Sequence, residues 1–449
     1  MANPTAECST TAVDSDPPGD LLCFPDEVIE NILSTLQLTD MWNLRLCSRG
    51  LAAKTVQPRF KAFYHSKTVS LQETALENFS SVTRNSGLGC LVQNLTIVGQ
   101  VEDSGRVPAK GKRKARSQGT SINTDEALAL LTVSFENIAA AAVNRDRPLH
   151  SLKLVYSDIR TKIPGKGFKD SHDHTLRRWR PIWQCAATTF HTIMSALEIS
   201  HLAIESLQLF NDFDHQRCSL ACSALQTTLD DVRPVRALSA LTHLSISVSD
   251  AEDSSQLSGL RELLEMSPRL THLDIHQFSL GFENLPATKF FARRAIGDER
   301  PSFEFSPNAQ ENLTRLFQHA SEANPMPQGL KNIRLDGIHT TGQDLLRFVR
   351  RVAPQHITLR HIRLATGNFR SLFDYCTIPN SGSIVHLDLQ DLREGEWHVI
   401  FDDSGTRSLQ RSGSGALHPI AYRVPHLCQQ GGPDLQEQIR QNRYMYGPL

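Results

Sequence analysis

The 449-residue sequence predicts an α/β fold: an N-terminal unit of three helices, then an irregular solenoid of short parallel strands and helices. Three observations predict it. Apolar residues recur at helical spacing in three short blocks between Leu21 and Phe63. A six-residue pattern, apolar-x-x-apolar-x-apolar, then returns eight times from Val92 to Leu389. Segments of helical periodicity separate the copies, and a strand–helix unit of that size buries its apolar side only against a stacked neighbour.

The first helix opens at Phe24-Pro25-Asp26-Glu27. Pro25 suits the first helical position, where its missing N–H costs nothing. Asp26 and Glu27 place negative charge at the positive end of the helix dipole. Val28, Ile29, Ile32, Leu33 and Leu36 then form one broad apolar face. Gln37-Leu38-Thr39-Asp40 reads as a turn in which Thr39 or Asp40 caps a second helix carrying Met41, Trp42, Leu44, Leu46 and Cys47. Ser48-Arg49-Gly50 breaks that helix, and a short third one, Leu51 to Val56, is stopped by Pro58. Roughly forty residues make a small core, so the apolar face of residues 28–36 predicts a partner helix laid over it. A helical cap closing an α-rich domain is the other reading of these residues.

Phe24-Pro25, Glu27, Ile29, Ile32-Leu33, Leu36, Asp40, Leu44, Leu46-Cys47-Ser48-Arg49 and Pro58 follow, in order, the pattern of the F-box, which this stretch resembles. Phe24 stands where that family more often has Leu, and the resemblance covers roughly a tenth of the chain. It implies docking on a Skp-type adaptor, which joins such a chain to cullin and RING subunits. The adaptor-binding residues it implies are Phe24, Pro25, Ile29, Ile32, Leu33, Leu36, Leu44 and Leu46.

The eight repeat copies are Val92–Ile97, Leu149–Leu154, Ile204–Leu209, Leu241–Ile246, Leu270–Ile275, Leu330–Leu335, Leu359–Leu364 and Ile384–Leu389. Each ends in the period-two alternation of a short strand. Leu244 to Leu273 and Ile333 to Ile362 are both 29 residues, and Ile362 to Leu387 is 25, at or near the leucine-rich-repeat window. The longer gaps leave room for a helix plus an insertion, or for a degenerate repeat such as Ser302-Phe303-Glu304-Phe305. Helices are predicted at Thr124–Asn144, Pro181–Ser200, Ser219–Asp230, Gln256–Met266, Asn308–Ala323, Gly342–Val352 and Asn368–Cys376. The array resembles the irregular leucine-rich repeats that follow the F-box in many fungal proteins, although the consensus asparagine is mostly absent. A doubly wound α/β domain also has apolar strands, but these strands are very short, share one register and lack Gly-rich phosphate loops.

In such an array Leu244 and Ile246, Leu273 and Ile275, Ile333 and Leu335, Ile362 and Leu364, and Leu387 and Leu389 face the core. The alternating residues line the open face, with Ser245 and Asn332 among them. The candidate target-binding residues are His243, His272, Asp274, Arg334, His361, Arg363, His386 and Asp388, a polar set suited to a charge-complementary protein contact.

The expected organisation is a disordered segment at 1–19, the F-box-like helices at 20–65, a helical connector at 66–90, the array at 91–395 and an irregular cap or tail at 396–449. Polar inserts interrupt the array at 102–121 and 157–180. The first carries Lys110, Lys112, Arg113, Lys114 and Arg116, which read as a nuclear localisation signal, a phosphate-binding patch or a solvated loop.

Forty-seven Lys and Arg balance forty-eight Asp and Glu for a net charge of −1, so there is no long-range pull toward nucleic acid or an acidic membrane. Nine cysteines without CxxC pairs read as reduced, with Cys218 and Cys222 one helical turn apart. No basic n-region with an apolar run opens the sequence, and no stretch reaches the ~18 apolar residues of a membrane span, so a cytoplasmic or nuclear chain is expected. His172-x-His174 supplies too few ligands for zinc, Gly165-Lys166-Gly167 lacks P-loop spacing, and there is no Gly-x-Ser-x-Gly. Catalytic, cofactor and metal residues are therefore not expected. The function these features and the resemblance imply is non-catalytic: recognition of a target protein within an SCF-type ubiquitin ligase. The alternative is an interaction scaffold without a ligase role, nuclear through its basic insert.

Overall fold

The computed structural model describes residues 21–56, 58–84, 88–100, 123–143, 148–157, 176–211, 218–249, 258–278, 327, 329–377, 384–395 and 397–425. The N-terminal segment, the insert at 102–121, the degenerate repeat at 302–305 and the helix expected at 308–323 lie outside them. The chain divides into two compact units, 1–66 and 67–449.

The first unit is helical, with α1 at Asp26–Thr35, α2 at Leu38–Cys47, α3 at Arg49–Lys54 and α4 at Pro58–Ala62. Four helices replace the expected three, because Pro58 does more than stop α3. It opens α4 at the first helical position, where its fixed φ suits a helix start. Pro25 lies one residue before α1, and its carbonyl accepts from the Val28 and Ile29 N–H groups at 3.1 and 3.2 Å. At α2 the flanking residue is Gln37, not Thr39 or Asp40; Asp40 instead reaches back, its carboxylate accepting from the Gln37 N–H at 3.4 Å. Ser48 caps α3 by accepting from the Leu51 N–H at 3.1 Å.

The second unit is mixed α/β, built on a large, mostly parallel sheet. Its early strands are β1 (Ser66–Ser70), β2 (Asn94–Gln100), β3 (Leu149–Ser157), β4 (Ile204–Leu209), β5 (Leu220–Ala221), β6 (His243–Ser249) and β7 (His272–Phe278). Then come β8 (Asn332–Asp336), β9 (His339–Thr340), β10 (His356–Arg360), β11 (Arg363–Leu364), β12 (His386–Gln390) and β13 (Arg393–Glu394). The last are β14 (Trp397–His398), β15 (Ile400–Phe401), β16 (Ser408–Ser412) and β17 (Tyr422–Arg423). The helices between them are α5 (Glu73–Arg84), α6 (Thr124–Val143), α7 (Leu176–Ser200), α8 (Cys222–Asp231), α9 (Val235–Leu238), α10 (Ser258–Glu265), α11 (Gly342–Val352) and α12 (Arg370–Thr377).

Strand order in the large sheet is β1-β2-β3-β4-β6-β7-β8-β10-β12-β16, with β5 beside β6. Each new strand is added at the edge its predecessor left, and the pairs from β2 to β12 are parallel. Antiparallel β16 then covers the exposed side of β12. The expected apolar pairs Leu244/Ile246, Leu273/Ile275, Ile333/Leu335 and Leu387/Leu389 are buried in one shared core with Phe190 and Phe348.

One repeat is out of its expected register. The strand beside β8 and β12 is β10, whose Ile357 and Leu359 align with Ile333 and Leu335, so Leu359–Leu364 is not the repeat strand. Ile362 and Leu364 are buried, but β11 belongs to a second sheet of order β14-β13-β11-β9. The chain enters that sheet through corner residues in the left-handed region: Gly337 (φ 70°) after β8, His361 (φ 51°) after β10 and Asp391 (φ 49°) after β12. The corners stack, the Gly337 N–H donating to the Arg360 carbonyl and the His361 N–H to the Gln390 carbonyl, both at 3.0 Å.

Three smaller expectations also change. Residues 66–70 of the supposed helical connector are an edge strand, with Val69 buried. Residues 176–180, assigned to the second insert, are already the first turn of α7. Cys218 and Cys222 are not one helical turn apart: Cys218 precedes β5 and Cys222 opens α8.

Candidate functional site

Each unit carries a candidate surface. In the helical unit α1 packs on α4 and α2 on α3. Ile29, Leu33, Met41, Leu51 and Phe60 are buried. Arg45 ties this core together: its Nη1 donates to the Ala52 carbonyl at 2.6 Å and to Thr55 Oγ1 at 3.2 Å, and its guanidinium lies 4.4 Å from the centre of the Phe60 ring. Trp42 and Tyr64 meet Phe60 edge-on, at 5.9 and 5.3 Å between centroids.

The core uses only one stripe of the wide apolar face. Of the eight residues implied as adaptor contacts, Ile29 and Leu33 point into the unit's own core, while Ile32, Leu36 and Leu44 are half-buried. Phe24, Pro25 and Leu46 are exposed, Leu46 at 80%. Val28 and Trp42 are exposed as well. Helical spacing distinguishes an apolar face from a polar one, but not the half that a unit keeps from the half it presents. The sequence signal for Trp42 is that it is the one aromatic residue on the second helix.

In the second unit the residues alternating with the core pairs form polar rows across the parallel strands. One row runs Ser206, His243, His272, Asn332, His356, His386. The His243 and His272 rings stack at 4.0 Å and 16°, and each Nδ1 meets a preceding threonine hydroxyl, Thr242 at 2.7 Å and Thr271 at 2.8 Å. Burial pushes both imidazoles below their ordinary pKa, and His272 is pushed further by His243 and His356. The next row runs Gln208, Ser245, Asp274, Arg334, Thr358, Asp388. Asp274 accepts from Asn211 Nδ2 at 3.1 Å and Ser245 Oγ at 3.2 Å, with Arg334 Nε 3.9 Å away. Burial raises its carboxyl pKa despite those contacts. Arg334 also lies 3.7 Å from Asp336, and Arg360 donates to Asp388 at 2.8 Å.

Six of the eight residues expected to bind a target share this face: His243, His272, Asp274, Arg334, His386 and Asp388. His361 and Arg363 do not. His361 is a corner residue whose Nδ1 is 2.8 Å from Asp336, and Arg363 belongs to β11 in the second sheet. Their places on the large sheet are taken by His356, Thr358 and Arg360. The motif missed this repeat because its leading apolar position is Pro354, while Leu359-x-x-Ile362-x-Leu364 matches five residues later.

The second sheet carries its own polar row. His339 pairs with Arg363, Arg363 with Arg393, and Arg393 with His398. Burial, then Arg363 and Arg393, push His339 down to about 4; burial, then Arg393, Arg407 and His361, push His398 down to about 3. Both rings are therefore neutral at pH 7. An unfolded chain binds their protons below its ordinary histidine pKa, while the folded one takes them up only near pH 4 and below. Their contribution to stability is complete above about pH 6.5 and is lost as pH falls toward 4. Urea unfolding across that window should show the loss, and His339→Gln should make the profile shallower there. A variant with the parent's slope would contradict this assignment.

Among the described residues no group of three His, Cys, Asp or Glu is placed to hold a metal ion, and no helix is long and apolar enough to cross a membrane. Cys90, Cys218, Cys222 and Cys376 are buried thiols, and burial raises Cys218 well above its ordinary pKa and Cys376 to about 12. These are packed sulfurs rather than nucleophiles.

Residues 21–62 match the F-box domain. No curated protein matches the chain. The F-box match coincides with the helical unit, starting at the turn before α1 and ending at the last residue of α4. F-box domains bind Skp-type adaptors, which supports that general kind of partner for the unit.

Proposed function

We propose that the chain is the substrate-recognition subunit of an SCF-type ubiquitin ligase. Its F-box docks on a Skp-type adaptor, through which cullin and RING subunits join, and the second unit holds a target protein. The observation that carries this reading is that the F-box match covers the unit exposing Phe24, Val28, Trp42 and Leu46, four of the eight exposed large apolar residues described. Large apolar side chains left exposed in so small a unit mark it as a contact surface. We read the second unit as an irregular leucine-rich-repeat solenoid of the kind that follows the F-box in many fungal proteins. Chain-order parallel strands, one shared core and stacked left-handed corners support this, since each repeat then buries its apolar side against the next.

The chain's own part in the reaction is positioning. Ubiquitin transfer belongs to other subunits, and holding a target raises its effective concentration beside them. The row of histidines from β6 to β12, with the Asp274–Arg334–Asp336 and Arg360–Asp388 contacts beside it, is the surface we assign to the target. Tagged full-length chain, purified from cells with the proteasome inhibited, should retain adaptor and cullin together with a protein that gains ubiquitin. Retention of the adaptor without cullin would instead favour an interaction scaffold.

A further inference from the structure

Strands β6 and β7 are entered in the same way, through Thr242-His243 and Thr271-His272, and the two histidines pair in register. Their rings stack at 4.0 Å with 16° between the planes. A threonine hydroxyl has one proton to donate. Here both are directed to the backbone: Thr242 Oγ1 donates to the Glu205 carbonyl at 3.1 Å and Thr271 Oγ1 to the Thr242 carbonyl at 3.0 Å. Each hydroxyl oxygen therefore accepts from the histidine that follows it, at 2.7 and 2.8 Å. That bond places the ring proton on Nδ1 and leaves Nε2 with a bare lone pair. Among the described residues neither Nε2 has a hydrogen-bond partner. His243 is exposed and His272 half-buried, so the polar face presents two acceptor nitrogens side by side.

We propose that the His243–His272 pair holds an arginine side chain of the target, the guanidinium donating one N–H to each Nε2, and that proton uptake by the pair releases it. This rests on the reading of the polar face as the target surface and names the chemistry that face takes. Nearly parallel rings offer nearly parallel lone pairs. A planar guanidinium meets them with two parallel N–H groups, whereas the N–H groups of an ammonium diverge. A carboxylate or phosphate finds no donor at the pair while both rings are neutral. The charged and titratable groups around it are Glu205 and His150, acting on His243, and His356 and Lys331, acting on His272. Glu205 is engaged by His150 Nδ1 at 2.9 Å. Asp274, the next outward position on β7, accepts from Asn211 and Ser245. Neither carboxylate bonds to the pair, so a proton taken up there is not neutralised by a direct partner. The first proton turns an acceptor into a donor, and a second sets two like charges 4.0 Å apart. Burial holds both rings below the ordinary histidine range, so the acceptor form is the one present at neutral pH.

The experiment is NMR of the full-length chain with ¹⁵N-labelled histidine, its signals assigned with His243→Gln and His272→Gln. Acetyl-arginine amide is the probe, with acetyl-lysine amide and acetyl-glutamate amide beside it. At neutral pH both rings should show the Nδ1–H form, and the arginine probe should shift their Nε2 resonances saturably and more than either control. Either substitution should weaken its binding by about tenfold, the loss of one of two hydrogen bonds to a charged group. In the parent the response should weaken as pH falls below about 6.5, where histidine begins to take up protons. The tautomer is read on the parent alone, so it stands whatever the variants do. An Nε2–H form at neutral pH, an equal response to the lysine or glutamate probe, or an arginine response that does not weaken on acidification would overturn the proposal. No adaptor enters the measurement, so a purified complex without cullin would remove the ligase reading and leave this site standing.

Discussion

Changing Val28 and Leu46 to Asp is expected to abolish capture of a Skp-type adaptor while leaving the helical unit folded. Both side chains are exposed in the chain, at 38% and 80%, so a carboxylate at either position stays solvated and costs little stability. In a docked complex the same positions would be covered. Each aliphatic side chain contributes ~1.5–3 kcal/mol when buried, and an unpaired buried carboxylate costs more. Losing two such contacts corresponds to at least ~10²-fold weaker binding. Ile29→Asp makes a poor test by comparison, because Ile29 is 3% exposed and its replacement would unfold the unit whatever the partner. Undiminished co-purification of the adaptor with the double variant, its far-UV spectrum unchanged, would remove these exposed apolar residues as the docking surface.

What the sequence made legible follows the physics of each signal. Period-two pairs such as Leu273/Ile275 and Ile333/Leu335 declare a strand because only one face of the sheet is buried, and they sit in register as read. The same rule failed at β10, where Pro354 occupies the leading apolar position and a neighbouring Leu-Ile-Leu triplet fits the template better. The corners were illegible for another reason. Gly337, His361 and Asp391 all adopt positive φ at the same place in three successive repeats, yet they are three residue types and no local pattern connects them. Stacking against the next corner, not the residue's own preference, sets that conformation. The motif therefore sets His361 and Arg363 on the large sheet, whereas the structure has His361 at a corner and Arg363 on β11. In the helical unit, spacing identified the apolar face of α1 but not its division between Ile29 and Leu33 inside and Val28 outside. That division depends on where α4 packs, and α4 begins at a proline read as a stop.

Those corners supply the second large effect. Gly337→Ala should lower the unfolding free energy by roughly 3 kcal/mol or more, seen as a shift of the urea midpoint with little change in slope. Two costs combine. At φ 70° an L side chain is strained by ~1–2 kcal/mol. A Cβ at Gly337 would also lie 2.5 Å from the backbone carbonyl oxygen of Gln277, which cannot step aside as a flexible side chain would. Relief requires separating the corner from β7, and the Gly337 N–H hydrogen bond to Arg360 would be disturbed with it. Gly395→Ala is the matched control: its φ is 60°, but nothing lies within 4 Å of an added Cβ, so it should show the backbone strain alone. A loss at Gly337 clearly larger than at Gly395 would show that the stacked corner is held by close backbone packing. Equal losses would mean that positive φ alone accounts for the glycine.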